Sequence, residues 1–261
     1  MPKSRLDLVL TERGLFESRT RAAAAIMAGQ VRLGGGGARA EKPGQMVTSD
    51  VEVSVDAGLQ YVSRGGVKLA NALDLLGVSA GGRSCLDVGA STGGFTDVLL
   101  QRGAAHVTAV DVGYGELHWR LRENPRVTVL ERVNARSLDC SVLPYRPDLV
   151  VADVSFISLR KVLPAVLSCA SEGGFDCLAM VKPQFELDRA RVGKGGVVRS
   201  AEDRRAALLA VASWAVEAGH AVRGFAPSGL PGPAGNRETF VWIASSGPAE
   251  DIESAVAKVE P

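Results

Sequence analysis

Residues 85–101 read CLDVGASTGGFTDVLLQ, and this stretch decides the fold of the larger part of the chain. The apolar run at 85–88 predicts a buried strand, and residues 95–101 predict a helix. Glycines in the turn between them let the backbone approach a ligand closely, and the start of the helix offers free N–H groups. The stretch therefore predicts the strand, ligand-binding loop and helix with which an open α/β sheet begins.

The same alternation of strand and helix continues toward the C-terminus. Further strands are predicted at 107–110, 127–130, 149–152, 177–181, 221–225 and 240–244, and helices at 66–76, 159–169 and 204–218. Strands that alternate with helices over this length are typical of a mainly parallel sheet with helices on both faces. The fold class predicted for this part is therefore α/β, of the Rossmann-like kind.

The first 55 residues have a different pattern, of two short helices and then small strands. Ser18 is the predicted N-cap of the second helix, in which Ala22, Ala25, Ile26 and Ala28 face inward. Strands are predicted at 31–33 and 51–55, with turns at 34–37 and 42–44. Residues 1–42 hold eight Lys or Arg and four acidic residues. This excess can form a basic face for phosphates, although charge alone is as typical of a solvated surface.

Bulk composition excludes several classes of protein. The net charge is +1, apolar residues make up 46%, and no apolar run approaches the ~18–20 residues of a membrane span. The N-terminus lacks the apolar stretch of a signal peptide, so we expect a cytoplasmic monomer without membrane contact. Four cysteines in no CxxC pair, together with three histidines, predict neither a metal site nor a disulfide, but four buried or incidental thiols.

The glycine loop points to a cationic ligand. It reads G-x-x-x-G-G after Asp87, whereas a dinucleotide site needs G-x-G-x-x-G. An acid here attracts the sulfonium and ammonium groups of S-adenosylmethionine, and Asp111 ends the next strand, where an acid binds ribose hydroxyls. A purely structural turn with a capping acid is the alternative. The residues assigned to S-adenosylmethionine are Asp87, Gly89, Ser91, Thr92, Gly93, Gly94, Phe95, Asp111, Asn134 and Asp153.

Four charged residues are the catalytic candidates. Asp153 and Lys182 directly follow apolar strands, Glu238 begins another, and Lys68 lies on the helix that leads into the first strand. A lysine at a buried strand end needs partners, and Asp153 and Glu238 can supply them. Such a lysine can act as a base near neutral pH and take the proton of a ribose 2′-OH. For each residue alone, a structural salt bridge is the more common role.

Two known domains share these motifs. RLDLVLTERGLFESRTRAAAAIMAGQVRLGG, KPGQMV and VEVSV, within residues 4–55, resemble an S4-type RNA-binding domain. The set Lys68–Asp153–Lys182–Glu238 resembles the K-D-K-E tetrad of FtsJ-type RNA ribose 2′-O-methyltransferases. Methyltransferases of base amines carry [DN]-P-P-[YF] where this chain has D-V-S-F, which argues against exocyclic amines as targets. Neither resemblance implies a metal ion.

Nearly the whole chain resembles the TlyA family, through YVSRGGVKL, DVGYGEL, VVADVSFISL, VKPQFE and LPGPAGNRETF together with the glycine loop. The resemblance implies a class I S-adenosylmethionine-dependent domain that methylates cytidine 2′-OH in 16S and 23S ribosomal RNA of the ribosomal subunits. In that family, loss of the modification is associated with capreomycin and viomycin resistance. The implied ranges are 1–58 for the S4-type domain, 59–64 for a linker and 65–261 for the methyltransferase domain.

Basic side chains in both domains are the candidate RNA contacts. They are Lys3, Arg5, Arg19, Arg21, Arg32, Arg64, Arg136, Lys194 and Arg199. For each of them, a role as a solvated surface residue is as reasonable as an RNA contact, because phosphate contacts are numerous and individually weak. The basic, glycine-rich segment 183–199 is expected to be mobile and to become ordered over the target nucleotide.

Three other functions remain open. A methyltransferase for protein or small molecules does not account for the basic N-terminal segment. A membrane-active haemolysin, which the naming of the family invites, would need an amphipathic basic helix or a spanning segment, and the sequence predicts neither. An RNA-binding module with an inactive cofactor site does not account for the retention of Asp87, Gly89, Asp111 and the tetrad.

Overall fold

The computed structural model describes residues 3–16, 18–27, 30–35, 37–55, 60–248 and 250–261. The chain divides into two compact units, Met1–Gln60 and Tyr61–Pro261, each with its own hydrophobic core. The domain ranges given above, with a linker at 59–64, stay a prediction.

The N-terminal unit is a small α/β fold. Its elements are β1 (Lys3–Arg5), α1 (Leu6–Glu12), α2 (Arg19–Met27), β2 (Val31–Leu33), β3 (Ala38–Arg39), β4 (Met46–Thr48) and β5 (Val53–Val55). β1 pairs with β4, and β2 lies between β3 and β5, all antiparallel. The Ser18 hydroxyl accepts a hydrogen bond from the Arg21 N–H at 3.3 Å, which confirms the predicted N-cap. The predicted helix positions Ala28 and Gly29, and Gly36 of the predicted turn, lie outside the described residues.

The C-terminal unit is built on a seven-stranded sheet of order β11-β12-β10-β9-β6-β7-β8. The strands are β6 (Ser84–Val88), β7 (His106–Asp111), β8 (Val127–Glu131), β9 (Leu149–Ala152), β10 (Asp176–Val181), β11 (Ala221–Pro227) and β12 (Thr239–Ala244). All neighbours pair in parallel except β12, which is antiparallel to both β10 and β11. The chain extends the sheet from β6 first toward β8 and later toward β10. β6 is therefore the switch point, where such sheets bind ligands.

Helices cover both faces of this sheet, as predicted. They are α3 (Arg64–Leu76), α4 (Gly94–Gln101), α5 (Trp119–Arg122), α6 (Leu159–Ser168), α7 (Pro183–Glu186), α8 (Ala201–Glu217) and α9 (Ile252–Val259). α3 and α4 pack on one face, and α6, α8 and α9 pack on the other. Each face carries a core of fully buried aliphatic side chains, and burying this apolar area provides most of the stabilisation. No helix of the described ranges is long and apolar enough to cross a bilayer.

The ends of most predicted elements shift by one to three residues, and further differences lie in the segment 183–199 and near the C-terminus. β5 begins at Val53 rather than Val51, because the Val51 N–H bonds to the carbonyl oxygen of Thr48 in a turn. The segment 183–199, predicted as a loop, contains α7 and two short 3-10 turns. The sequence pattern assigns no element to α9, which the side chain of Asp251 caps by accepting from the Ser254 N–H at 3.4 Å.

One expectation about the cysteines is wrong, because Cys140 and Cys169 form a disulfide. Cys140 begins a 3-10 turn, and Cys169 directly follows α6. The packing of α6 against the neighbouring turn, Ala135–Ser137, brings the two residues together across a sequence separation of 29. Nothing in their spacing indicates this contact. The other two cysteines, Cys85 and Cys177, are buried thiols whose pKa values burial raises.

Candidate active site

The first strand of the sheet ends at a glycine that touches a neighbouring strand end. Gly89 has a φ of +82°, in the left-handed region. A Cβ atom on this residue would lie 2.4 Å from the carbonyl oxygen of Asp153, which directly follows β9. Any side chain would therefore collide with backbone. The glycine keeps the ends of β6 and β9 in contact and leaves the loop open to a ligand.

A cavity of about 390 Å³ lies at this edge of the sheet. Five of the residues assigned to the cofactor line it, namely Gly89, Ser91, Asp111, Asn134 and Asp153. Both oxygens of the Asp111 carboxylate accept backbone hydrogen bonds, from the Ser91 N–H at 2.8 Å and the Gly113 N–H at 2.7 Å. The Asn134 side-chain oxygen accepts from the Arg136 N–H at 3.0 Å. These bonds hold both polar side chains in place at the wall of the cavity.

The other residues assigned to the cofactor do not line this cavity. The ring of Phe95 is buried, with its centroid 5.8 Å from that of Phe240. Gly93 and Gly94 serve packing, because Cβ atoms there would lie 2.3 Å from Leu121 Cδ1 and 2.2 Å from Ser63 Oγ. Residues 93–95 can therefore reach a ligand only through backbone groups, whereas Thr92 is exposed. The role of all four residues stays a prediction.

Asp87 is completely buried within β6. One carboxylate oxygen accepts a hydrogen bond from Thr96 Oγ1 at 2.6 Å, and the other has no partner among the described residues. Burial raises the pKa of this carboxyl to about 7, and the nearby charge of Asp153 adds to the shift, while the Thr96 bond opposes it. A buried carboxylate oxygen without a donor, beside the glycine loop, fits a ligand that carries a positive charge.

Lys182 and Asp153 form an ion pair at the carboxyl edge of the sheet. Lys182 Nζ lies 2.6 Å from Asp153 Oδ1 and donates a hydrogen bond to Ser155 Oγ at 2.8 Å. The Lys182 side chain is 11% exposed and that of Asp153 is 26% exposed. The lysine nitrogen is therefore shielded from bulk water yet lies beside the wall of the cavity.

The other two catalytic candidates form a second, deeper pair. Lys68 Nζ donates to Glu238 Oε2, and the two side chains are 9% and 1% exposed. The prediction that both acids pair with Lys182 is thus wrong for Glu238, because α3 brings Lys68 to it instead. The register Val181↔Thr239 nevertheless sets Lys182 and Glu238 next to each other, since one follows β10 and the other precedes β12. The four residues are thus brought together as two ion pairs at one edge of the sheet.

Comparison with known proteins identifies the family. Residues 61–245 match the family model described as FtsJ-like methyltransferase, and residues 4–53 match that of the S4 domain. The chain belongs to the FtsJ-like methyltransferase family. The predicted α/β fold with an S4 domain at its N-terminus is confirmed.

Several relatives can be aligned with this protein over nearly its whole length. It is 51% identical over 243 residues to the 16S/23S rRNA (cytidine-2′-O)-methyltransferase TlyA of Mycobacterium tuberculosis, covering 92% of this chain and 90% of the relative. It is 43% identical to YqxC of Bacillus subtilis, provisionally named an rRNA methyltransferase, covering 95% of this chain and 88% of the relative. A solved structure from Streptococcus thermophilus, provisionally named a hemolysin, has a TM-score of 0.74 at 39% identity, covering 99% and 96% of the two chains.

Ser155, which accepts the Lys182 hydrogen bond, and Phe156 were not assigned to the FtsJ-like site from the sequence. Phe156 lines the cavity, is 91% exposed and has a φ of +64°, which is strained for a phenylalanine. Its ring centroid lies 5.3 Å from that of Phe185. An exposed, backbone-strained aromatic at the mouth of a cavity is a typical functional residue. The only signal in the sequence is its place in D-V-S-F, three residues after Asp153.

The RNA-contact candidates are exposed in both units. In the N-terminal unit, Arg5 and Arg19 share the buried carboxylate of Asp7, at 2.8 Å and 3.3 Å. Hydrogen bonding by Arg5 is the main reason that the pKa of Asp7 falls to about 2. Asp7 fixes both guanidinium groups while neutralising part of their charge. Their RNA role stays a prediction.

In the C-terminal unit, the four RNA-contact candidates lie on different elements. Arg136 lines the cavity, Arg64 begins α3, Lys194 lies in a 3-10 turn, and Arg199 precedes the N-cap of α8. Asn236 fixes the Lys194 segment by accepting from the Val198 N–H at 2.9 Å and donating to the Gly196 carbonyl at 2.8 Å. Within the described ranges, no group of three His, Cys, Asp or Glu side chains could hold a metal ion.

Asp87→Asn should change the pH dependence of stability. Because the folded pKa, about 7, lies above the ordinary value of an aspartic acid, 3.8, the folded state prefers the protonated acid. The free energy of unfolding of the ligand-free protein should therefore fall as pH rises through this window and level off above it. The asparagine variant lacks this loss, so it should melt higher than the natural protein at pH 8 and converge with it near pH 4. Melting curves of both proteins, with the exposed Asp188→Asn as control, measure this. If the melting temperatures of the natural protein and Asp87→Asn changed with pH in parallel, the raised pKa of Asp87 would be contradicted.

Proposed function

We propose that this protein is an S-adenosylmethionine-dependent 2′-O-methyltransferase that modifies cytidine in 16S and 23S ribosomal RNA, in the cytoplasm and as a monomer. The observation that carries the proposal is the Lys182–Asp153 pair beside the cavity at the glycine loop. The S4 domain and the activity named for the M. tuberculosis relative support an RNA substrate.

The residues present fit S-adenosylmethionine. The partnerless oxygen of Asp87 suits a cationic ligand, Asp111 suits ribose hydroxyls, and Asn134 offers a side-chain amide at the same wall. When bound, this cofactor supplies an activated methyl group on a sulfonium. The protein has to bind it, orient the RNA ribose toward it and exclude water.

Lys182 is the group proposed to move the proton. Lys182 Nζ is placed to take the proton of the ribose 2′-OH, and Asp153 Oδ1 and Ser155 Oγ hold the resulting ammonium in place. The Lys68–Glu238 pair positions the adjoining strand end and keeps a fixed carboxylate next to Lys182. Phe156 offers an exposed ring on which the target base can stack.

The direct test is methyl transfer to purified ribosomal subunits. Small and large subunits from a strain without the gene are incubated with the protein and methyl-labelled S-adenosylmethionine, and the modified nucleotides are mapped. We expect one 2′-O-methylated cytidine in each rRNA, and deletion of the gene should confer resistance to capreomycin and viomycin. Label in protein or small molecules only would contradict the proposal, and so would cofactor-independent leakage of liposomes, which a membrane-active hemolysin would cause.

Removing two arginines of the S4 domain should weaken RNA binding. In the double variant Arg19→Ala with Arg21→Ala, Arg5 still pairs with Asp7, so the fold should persist. Loss of two cations should lower the affinity for RNA and reduce the slope of log affinity against log salt by about 1–2. Arg146→Ala, beside the amino end of β9, is the matched control. An unchanged salt slope would exclude this surface from RNA contact.

A further inference from the structure

The segment between β7 and β8 exposes two large aromatic side chains that the fold does not use. Trp119, the first residue of α5, is 63% exposed, and Tyr114 is 68% exposed. Neither residue belongs to the hydrophobic cores or to the residues that line the cofactor cavity. A large exposed aromatic side chain with charged groups nearby is a feature of nucleic-acid binding sites, whereas isolated apolar residues are not informative.

Trp119 is held firmly, which a binding surface requires. Its neighbours Leu117 and Leu121 are buried, at 6% and 4%, and pack against Gly93 of the glycine loop. The His118 N–H donates to the Thr92 carbonyl oxygen at 3.2 Å. The His118 ring stacks on Trp119, with centroids 5.9 Å apart and an interplanar angle of 28°. The start of α5, which carries the indole, is therefore fixed to the same loop that borders the cofactor cavity.

A guanidinium group lies over the Tyr114 ring, and Arg120 directly follows Trp119 in α5. The Arg132 guanidinium lies 4.3 Å from the centroid of the Tyr114 ring. Arg120 is exposed and has no ion pair with any side chain in the described ranges. The acids of this surface are engaged elsewhere. Glu131 pairs with Arg122, and Asp97, which shares a small cleft with Arg120, accepts from the Val62 N–H at 2.9 Å and the Gln101 amide at 3.0 Å. Aromatic faces beside free guanidinium groups are the chemistry that recognises unpaired bases and their phosphates.

We propose that Trp119 and Arg120 form an accessory RNA site, in which an unpaired base outside the target nucleotide stacks on the indole and Arg120 contacts the adjoining phosphate. The inference rests on the proposed function, because it takes RNA as the substrate. The partner is thus single-stranded or looped RNA near the methylated cytidine. The site sets the affinity for substrate and takes no part in the chemistry.

Substitution of Trp119 tests the site through enzyme kinetics. Trp119→Ala should raise KM for ribosomal subunits about ten-fold, the size of one lost stacked base, with kcat and S-adenosylmethionine affinity unchanged. Trp119→Phe keeps an aromatic face and should restore most of the affinity. Leu75→Ala, 64% exposed on α3, is the matched control and should behave as the natural protein. Unchanged KM in Trp119→Ala would overturn the proposal.

Fluorescence identifies the partner independently of catalysis. The chain has three tryptophans, so the emission of the natural protein minus that of Trp119→Phe reports on Trp119. A protein-free 23S rRNA transcript should quench this component. A raised KM without quenching would overturn the RNA assignment in favour of a ribosomal protein. If the transcript quenches the Trp119 emission but the natural protein transfers no methyl group to rRNA, the proposed function fails while the RNA site stands.

Discussion

Lys182→Ala should lower the rate of methyl transfer by about 10²–10⁴-fold, the usual contribution of a general base. Lys182 Nζ is the basic atom that lies beside the cavity with two oxygen partners, Asp153 Oδ1 at 2.6 Å and Ser155 Oγ at 2.8 Å. The alanine removes the proton acceptor but none of the side chains that line the cavity. Affinity for S-adenosylmethionine should therefore stay within a few-fold of the natural value. Single-turnover methylation of subunits and calorimetric titration of the cofactor measure the two quantities.

Two variants make the Lys182 result specific. Lys182→Arg keeps the positive charge but cannot give up its proton near neutral pH, so it should be as inactive as the alanine variant. Lys161→Ala removes an exposed lysine of α6 and should leave turnover unchanged. Normal turnover by Lys182→Ala would remove this lysine from the role of base.

Glu238→Met alone should destabilise the protein by about 3–5 kcal/mol, because it leaves the Lys68 ammonium buried without its partner. The two side chains are 9% and 1% exposed, so water cannot replace the missing carboxylate. For a unit of this size the melting temperature should fall by roughly 6–20 °C. Thermal melts of the natural protein and the variant at pH 7 measure the difference.

The double variant Lys68→Met with Glu238→Met separates stability from catalysis. Two methionines of similar length remove both buried charges, so the melting temperature should recover most of the loss. Methyl transfer should not recover, because the fixed carboxylate next to Lys182 is gone. A single variant as stable as the natural protein would show that the pair is not buried as described. Full activity in a stable double variant would exclude the pair from the site.

The glycine loop and the strand ends could be predicted because their determinants are local. Apolar runs that end in Asp87, Asp111, Asp153 and Lys182 predict strands, and parallel strands bring their carboxyl ends to one edge whatever the details of packing. The FtsJ-like and S4 matches confirm the family to which these patterns point. The role of each glycine in the loop could not be predicted in the same way, because it depends on distant residues. Gly93, for example, is required by the packing of Leu121 against it.

Charge pairing could not be assigned from the sequence. From the sequence alone, Asp153 and Glu238 are equally reasonable partners for Lys182. Only the position of α3 in the fold shows that Glu238 pairs with Lys68 instead. The same limit applies to Arg5 and Arg19, whose shared acid, Asp7, lies beneath both. It applies as well to the Cys140–Cys169 disulfide, which depends on the packing of α6.

The sequence by itself determined the alternation of strands and helices in the larger unit, the ligand-binding loop and the set of candidate catalytic residues, because these depend on periodicity and on the residues that directly follow each strand. Only the tertiary structure decided which charges pair, which glycines face the cavity and that Phe156 and Trp119 stay exposed. These features depend on contacts between residues far apart in the chain, and free energies of burial and pairing are set by such contacts rather than by residue type.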